Sequence, residues 1–173
     1  MFAILKREVK AYFQTVTGWL FIAAVLVLYG LYFYVYNLRA GYPYISYSLS
    51  AIAFIMLITV PVLTMRSFAE ERHSRTDQLL LTSPVSVGGI VLGKYFALCV
   101  IFALPCLVDA GMILVLKALG ATGTSTLANF SALLCYYLMG CAAIAIGVFL
   151  SSLTENQIIA AVSGVAALLL AYM

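Results

Sequence analysis

Charge is scarce in this sequence, and its scarcity excludes most of what a soluble chain could be. Nine Lys and Arg and six Asp and Glu stand among 173 residues, 9% of the total. A soluble domain carries about 25%. The net charge of +3 is small and dispersed, which argues against nucleic acid as a partner. Histidine is rarer still: His73 is the only one, in a charged stretch. No serine–histidine–acid set can be assembled, and no apolar run holds paired carboxylates, so no catalytic residue is assigned. The four cysteines, Cys99, Cys106, Cys135 and Cys141, lie inside apolar runs without paired short spacing. They read as small apolar residues rather than metal ligands or disulfide partners. No metal site is expected. A phosphate-binding loop is lacking too. Gly93-Lys94-Tyr95 lacks the hydroxyl residue that such a loop needs after its lysine.

What is abundant is apolar surface. Hydrophobic residues make up 65% of the chain and the mean hydropathy is +1.13. A soluble fold needs a polar exterior and could not hide so much. In lipid, the backbone must satisfy its own hydrogen bonds, as helices or as a closed barrel. The apolar runs are about 20 residues long and do not alternate with polar residues, which fits helices rather than barrel strands. The expected fold class is all-α: a polytopic transmembrane helix bundle.

Residues 1–16 form the first element. Phe2, Leu5, Val9, Tyr12 and Val16 recur at helical spacing, with Lys6, Arg7 and Lys10 on the other side. This is a basic amphipathic helix suited to lying among lipid headgroups. A bland alternative is that its cations only orient the next span. Spans are then expected at about 17–37, 48–66, 88–116, 127–150 and 158–173. A polar segment, 67–87, separates the second from the third. Tyr29, Tyr32, Tyr34, Tyr36, Tyr42, Tyr44 and Tyr47 read as a belt at the membrane–water boundary. Ala143, Gly147 and Ser151, and likewise Ser163, Ala167 and Ala171, recur every four residues and suit close helix packing. Pro61 and Pro105 can kink their spans.

Basic residues set an orientation. Lys6, Arg7, Lys10, Arg66, Arg72, Arg75 and Lys94 cluster on one side, against Arg39 and Lys117 on the other. The positive-inside rule puts the N-terminus and residues 67–87 in the cytoplasm of a multi-pass cell-membrane protein. Lys94 is expected to snorkel toward the inner headgroups, as Lys6, Arg7 and Lys10 do. The last apolar run covers roughly 24 Å of helix against about 30 Å of hydrocarbon. The expectation is therefore a chain cut short of a further crossing.

Residues 66–95 read RSFAEERHSRTDQLLLTSPVSVGGIVLGKY. They accommodate a short helix whose Leu79, Leu80 and Leu81 are too apolar for a free loop. Pro84 favours ending it nearby. Adjacent Glu70 and Glu71 point different ways on a helix and read as a solvated or docking face. Such an element suits docking of a soluble partner, or resting on the lipid surface. The pattern Glu70-Glu71-Arg72, Thr76, Leu79-Leu80, Ser83-Pro84-Val85-Ser86 and Gly93-Lys94-Tyr95 resembles ABC-transporter permeases of the type-2 exporter class. Within them it is most similar to the gliding-motility and nitrous-oxide-reductase-maturation branch. Ser74-Arg75-Thr76-Asp77-Gln78 stands where the family often has Gly-Thr and an acid.

The resemblance implies an exporter permease of about six spans, of which this chain offers about five. Residues Glu70 to Pro84 would be a coupling helix seated on a cytoplasmic ABC ATPase, with Glu70, Glu71, Arg72, Thr76, Leu79, Leu80 and Pro84 at the docking face. It further implies a second permease copy or a paralogue, and ATP and Mg bound by the ATPase, with no cofactor on this chain. Its setting would be the bacterial inner membrane. A non-transporting membrane scaffold that anchors a cytoplasmic partner is the alternative function.

Inside the membrane, Asp109 is the one acid far from the charged segment, and an ionisable residue in a span marks a functional candidate. It shares a helical stripe with Leu98, Ile101 and Pro105. Asp109, Tyr136 and Tyr137 are candidates for a translocation path. The plainer reading is helix–helix hydrogen bonding, with Asp109 facing protein or a cavity rather than lipid.

Overall fold

The structure, a computed structural model, describes residues 2–73, 87–119 and 125–172. Among them the chain is helical, with no strand. The helices are α1 (Phe2–Gln14), α2 (Val16–Phe33), α3 (Ser46–Thr64), α4 (Arg66–His73), α5 (Val87–Ala118), α6 (Thr126–Leu153) and α7 (Gln157–Tyr172). A π-helical turn, Tyr34–Arg39, prolongs α2. Four stretches are long and apolar enough to cross a membrane: Gly18–Arg39, Ser46–Ala69, Val87–Ala118 and Thr126–Leu153. Gln157–Tyr172 is shorter and equally apolar in character. The outward faces carry Leu20, Val27, Leu31, Phe54, Leu107, Leu134, Leu138 and Phe149, all exposed. An apolar exterior around an apolar core is what lipid, not water, tolerates. The protein is a multi-pass membrane helix bundle.

Helices α3 and α6 form the centre. α3 packs on α2, α6 and α7, and α6 packs on α3, α5 and α7, while α1 lies against α5 and α2. Close approach at the centre depends on missing side chains. A Cβ built on Gly147 would collide with Thr64, and one on Gly140 with the Phe102 ring. One on Gly164 would come within 3.0 Å of Pro61 Cβ. Pro61 and Pro105 sit inside α3 and α5, which run on past them.

Two stripes differ by about one residue from expectation. On α7 the buried residues are Ala160, Gly164 and Leu168, not Ser163, Ala167 and Ala171. The bulk of Pro61 explains the choice, since only Gly164 lets the helices meet there. On α1 the buried residues are Ile4, Glu8 and Tyr12, with Leu5 and Val9 half-buried at the flank. The apolar stripe is thus shared between the bundle and the outside. Tyr12 fixes this rotation by donating its hydroxyl to the Leu63 carbonyl at 3.3 Å.

The α2–α3 connection has its own polar core. Asn37 Nδ2 donates to the carbonyls of Tyr42 (2.8 Å) and Tyr44 (3.1 Å), and Ser48 Oγ donates to Asn37 Oδ1 at 2.6 Å. Gly41 makes the reversal at φ 73°. Tyr32, Tyr36, Tyr42 and Tyr47 follow one another around this end, 4.6–6.3 Å between neighbouring centroids, the first pair stacked and the others tilted. Tyr29 does not belong with them. It is 2% exposed and lies in the buried stripe Phe21, Val25, Tyr29, Phe33.

Candidate functional site

Two polar constellations interrupt the apolar bundle. The first sits where α3 passes into α4. The break at Met65 is slight: its backbone stays helical (φ −54°, ψ −31°) and its N–H still bonds the Pro61 carbonyl at 2.8 Å. Ser151 of α6 reaches the backbone on both sides of this break. Its hydroxyl accepts from Ala69 N (3.3 Å) and Phe68 N (3.2 Å) and donates to Met65 O (3.2 Å). A hydroxyl has one donor and two acceptor sites, and all are used.

Lys94 of α5 completes this joint. Its side chain is 1% exposed, and Nζ donates to the Ser67 carbonyl at 2.7 Å. Nζ also lies 3.6 Å from Glu8 Oε1 on α1 and 4.9 Å from the centre of the Phe68 ring. Glu8 pairs in turn with Arg7 at 2.7 Å. The expectation that Lys94 snorkels to headgroups is therefore corrected. A buried carbonyl, a carboxylate and an aromatic face turn its ammonium inward. Lys6, Arg7 and Lys10 do face outward on α1.

The joint stands at the base of the expected docking segment. Glu70, Glu71 and Arg72 lie in α4, the backbone of which is described; the disposition of their side chains is not. Thr76, Leu79, Leu80 and Pro84 lie outside the described residues. Nothing in the sequence pattern points to Ser67, and the four-residue spacing of Ser151 points only to packing. The signal was present for Glu8, four residues from both Ile4 and Tyr12 in a helix otherwise basic.

The second constellation lies deep in the bundle, between α2, α5 and α6. Asp109 is 1% exposed and faces protein, not the outside. Tyr29 and Tyr136 lie within electrostatic reach of it. Asp109 Oδ1 and the Tyr29 hydroxyl are buried and lack hydrogen-bond partners. Tyr137 is employed differently: its hydroxyl donates to the Cys99 carbonyl at 3.4 Å and its ring stacks on Phe102. The three candidate path residues thus divide, Asp109 and Tyr136 together and Tyr137 toward α5. All four cysteines are free. Among the described residues no group of His, Cys, Asp and Glu is placed to hold a metal.

A family profile described as ABC-2 family transporter protein matches residues 33–173. The chain belongs to the ABC-2 transporter family. It is a membrane permease of an ABC transporter, the membrane subunit and not the nucleotide-binding one. The match takes in the α3–α4 joint, Lys94, Ser151, Asp109 and Tyr136. Glu8 and Tyr29 of this ABC-2 permease precede it. No curated protein and no solved structure matches the chain.

Proposed function

We propose that this permease is the membrane half of an ATP-driven exporter whose α4 and following segment, through Pro84, receive a separate cytoplasmic ATPase. In this reading the N-terminus and α4 face the cytoplasm of a bacterial cell membrane, as the asymmetry of basic residues favours. ATP and Mg belong to the ATPase. Two permease chains, identical or paralogous, pair above two ATPases. The run Glu70-Glu71-Arg72 to Gly93-Lys94-Tyr95 supports the gliding-motility and nitrous-oxide-reductase-maturation branch.

The observation that carries the proposal is the α3–α4 joint. α4 leaves α3 with almost no break, so a push on α4 travels along a membrane span. Ser151 and Lys94 fasten the same point to α6, α5 and α1. A docking element tied to α6, α5 and α1 suits the passing of force from a soluble motor into a bundle. A flexible tether would suffice for a scaffold.

The test is co-purification of the full-length protein with the ATPase encoded beside its gene. Wild type should retain the ATPase and stimulate ATP hydrolysis, and the Leu79→Asp/Leu80→Asp double variant should lose both. Undiminished recruitment by the double variant would overturn the docking assignment. Recruitment without any stimulation would favour the scaffold.

A further inference from the structure

The deep constellation has a definite depth. Tyr29 stands ten residues before Arg39, the end of the α2 rod; Asp109 stands nine before Ala118; Tyr136 stands ten after Thr126. At 1.5 Å per residue each lies roughly 14–15 Å below the same end of the bundle. That is half of a hydrocarbon core of about 30 Å. Three helices therefore bring an acid and two phenols to one level inside the bundle.

Their surroundings lack compensation. Asp109 is 1%, Tyr29 2% and Tyr136 7% exposed. No ion pair joins Asp109 among the described residues, and the next cation along α5, Lys117, is exposed at the helix end. Asp109 Oδ1 and Tyr29 OH are both unpartnered. Leaving a polar group unpaired in such surroundings is unfavourable. Aromatic rings stand beside it. Phe33 stacks on Tyr29 at 6.1 Å, and Phe102 lies 5.8 Å from Tyr136. Cys106 also faces the cluster and carries no positive charge. The site thus offers a carboxyl oxygen, phenol oxygens and ring faces. Each of these favours a positively charged hydrogen-bond donor.

We propose that Tyr29, Asp109 and Tyr136 form a binding site for the ammonium group of an amphipathic amine. This rests on the transport reading above and names a substrate class for it. Asp109 supplies the counter-charge, Tyr29 OH accepts a second ammonium hydrogen, and the Tyr136 and Phe102 rings shield the cation. The alkyl part lies along the apolar bundle. A neutral alcohol would lack the charge, and a fatty acid would repel Asp109.

The experiment is equilibrium dialysis of radiolabelled octylammonium against full-length protein in nanodiscs, with protein-free nanodiscs subtracted. Saturable binding is expected, displaced by unlabelled octylammonium and not by octanol or octanoate. Asp109→Asn should weaken it at least tenfold, and Tyr29→Phe at least threefold. Asp109→Glu should keep most of it. Uptake equal to protein-free discs, displacement by octanol, or wild-type binding by Asp109→Asn would each overturn the assignment. Should Asp109→Asn fail to fold, wild-type binding by both Tyr29→Phe and Tyr136→Phe would overturn it equally. The assay needs no ATPase, so its failure and that of the docking assignment are separate results.

Discussion

Lys94 Nζ donates to the carbonyl oxygen of Ser67 across 2.7 Å, from a side chain only 1% exposed. The bond joins the start of the third span to the first turn of α4, 27 residues earlier in the chain. Glu8 extends it to the N-terminal helix. Three elements that meet at one end of the bundle are therefore held by a single cation.

Replacing that cation should be costly. Lys94→Met keeps much of the volume and leaves the Ser67 carbonyl without its charged donor and Glu8 without one of its two cations. Hydrogen bonds to charged groups contribute about 1.5–3 kcal/mol, and a loss of that size is expected in thermal unfolding of the purified protein. Glu8→Gln should cost less, because at 3.6 Å its contact with Lys94 is looser and Arg7 satisfies it already. A Glu8→Gln loss equal to that of Lys94→Met would contradict this ordering.

Ser151→Ala tests the other half of the joint. It removes the acceptor of two backbone N–H groups and the donor to Met65. A loss of about 1–3 kcal/mol is expected from the bonds removed. Amide hydrogen exchange should accelerate at Phe68 and Ala69. Its neighbour Ser152 bonds only the Phe149 carbonyl in its own helix. Ser152→Ala should change stability by less than about 0.5 kcal/mol.

Gly147→Ala probes the closest approach of α3 and α6. The added methyl meets the Thr64 side chain, and overpacking of this kind costs about 1–3 kcal/mol. Thr64→Ala should relieve part of it, so the two changes should be non-additive in a double-mutant cycle. Strict additivity would place the strain elsewhere.

The helices, their order and the apolar exterior were legible because length and hydropathy alone decide them in lipid. Side-chain direction was legible only where the stripe was followed far enough. Leu98, Ile101, Pro105 and Asp109 were read as one face of α5; four residues back from Leu98 on that face stands Lys94. Continuing the stripe would have turned Lys94 inward. The same holds for Tyr29, which repeats Phe21 and Val25 at intervals of four and is core for that reason, whatever its kinship in type with Tyr32 and Tyr36. Ser151 as a bridge was not legible, since its partners are backbone groups 82 and 83 residues away.

The two phenols at the deep site and beside it should respond to loss of their hydroxyls with opposite signs. Tyr29→Phe removes a buried group that has no partner, and so removes an unreturned desolvation cost. The variant should be more stable by about 1 kcal/mol, within the range for such groups. Tyr137→Phe instead gives up a bond to the Cys99 carbonyl and should lose about 0.5–1.5 kcal/mol. Both are read from thermal unfolding of the protein without added amine. A stabilised Tyr29→Phe that binds octylammonium poorly is the pattern of a residue kept for its ligand at the expense of the fold. A destabilised one would mean that its hydroxyl serves packing alone.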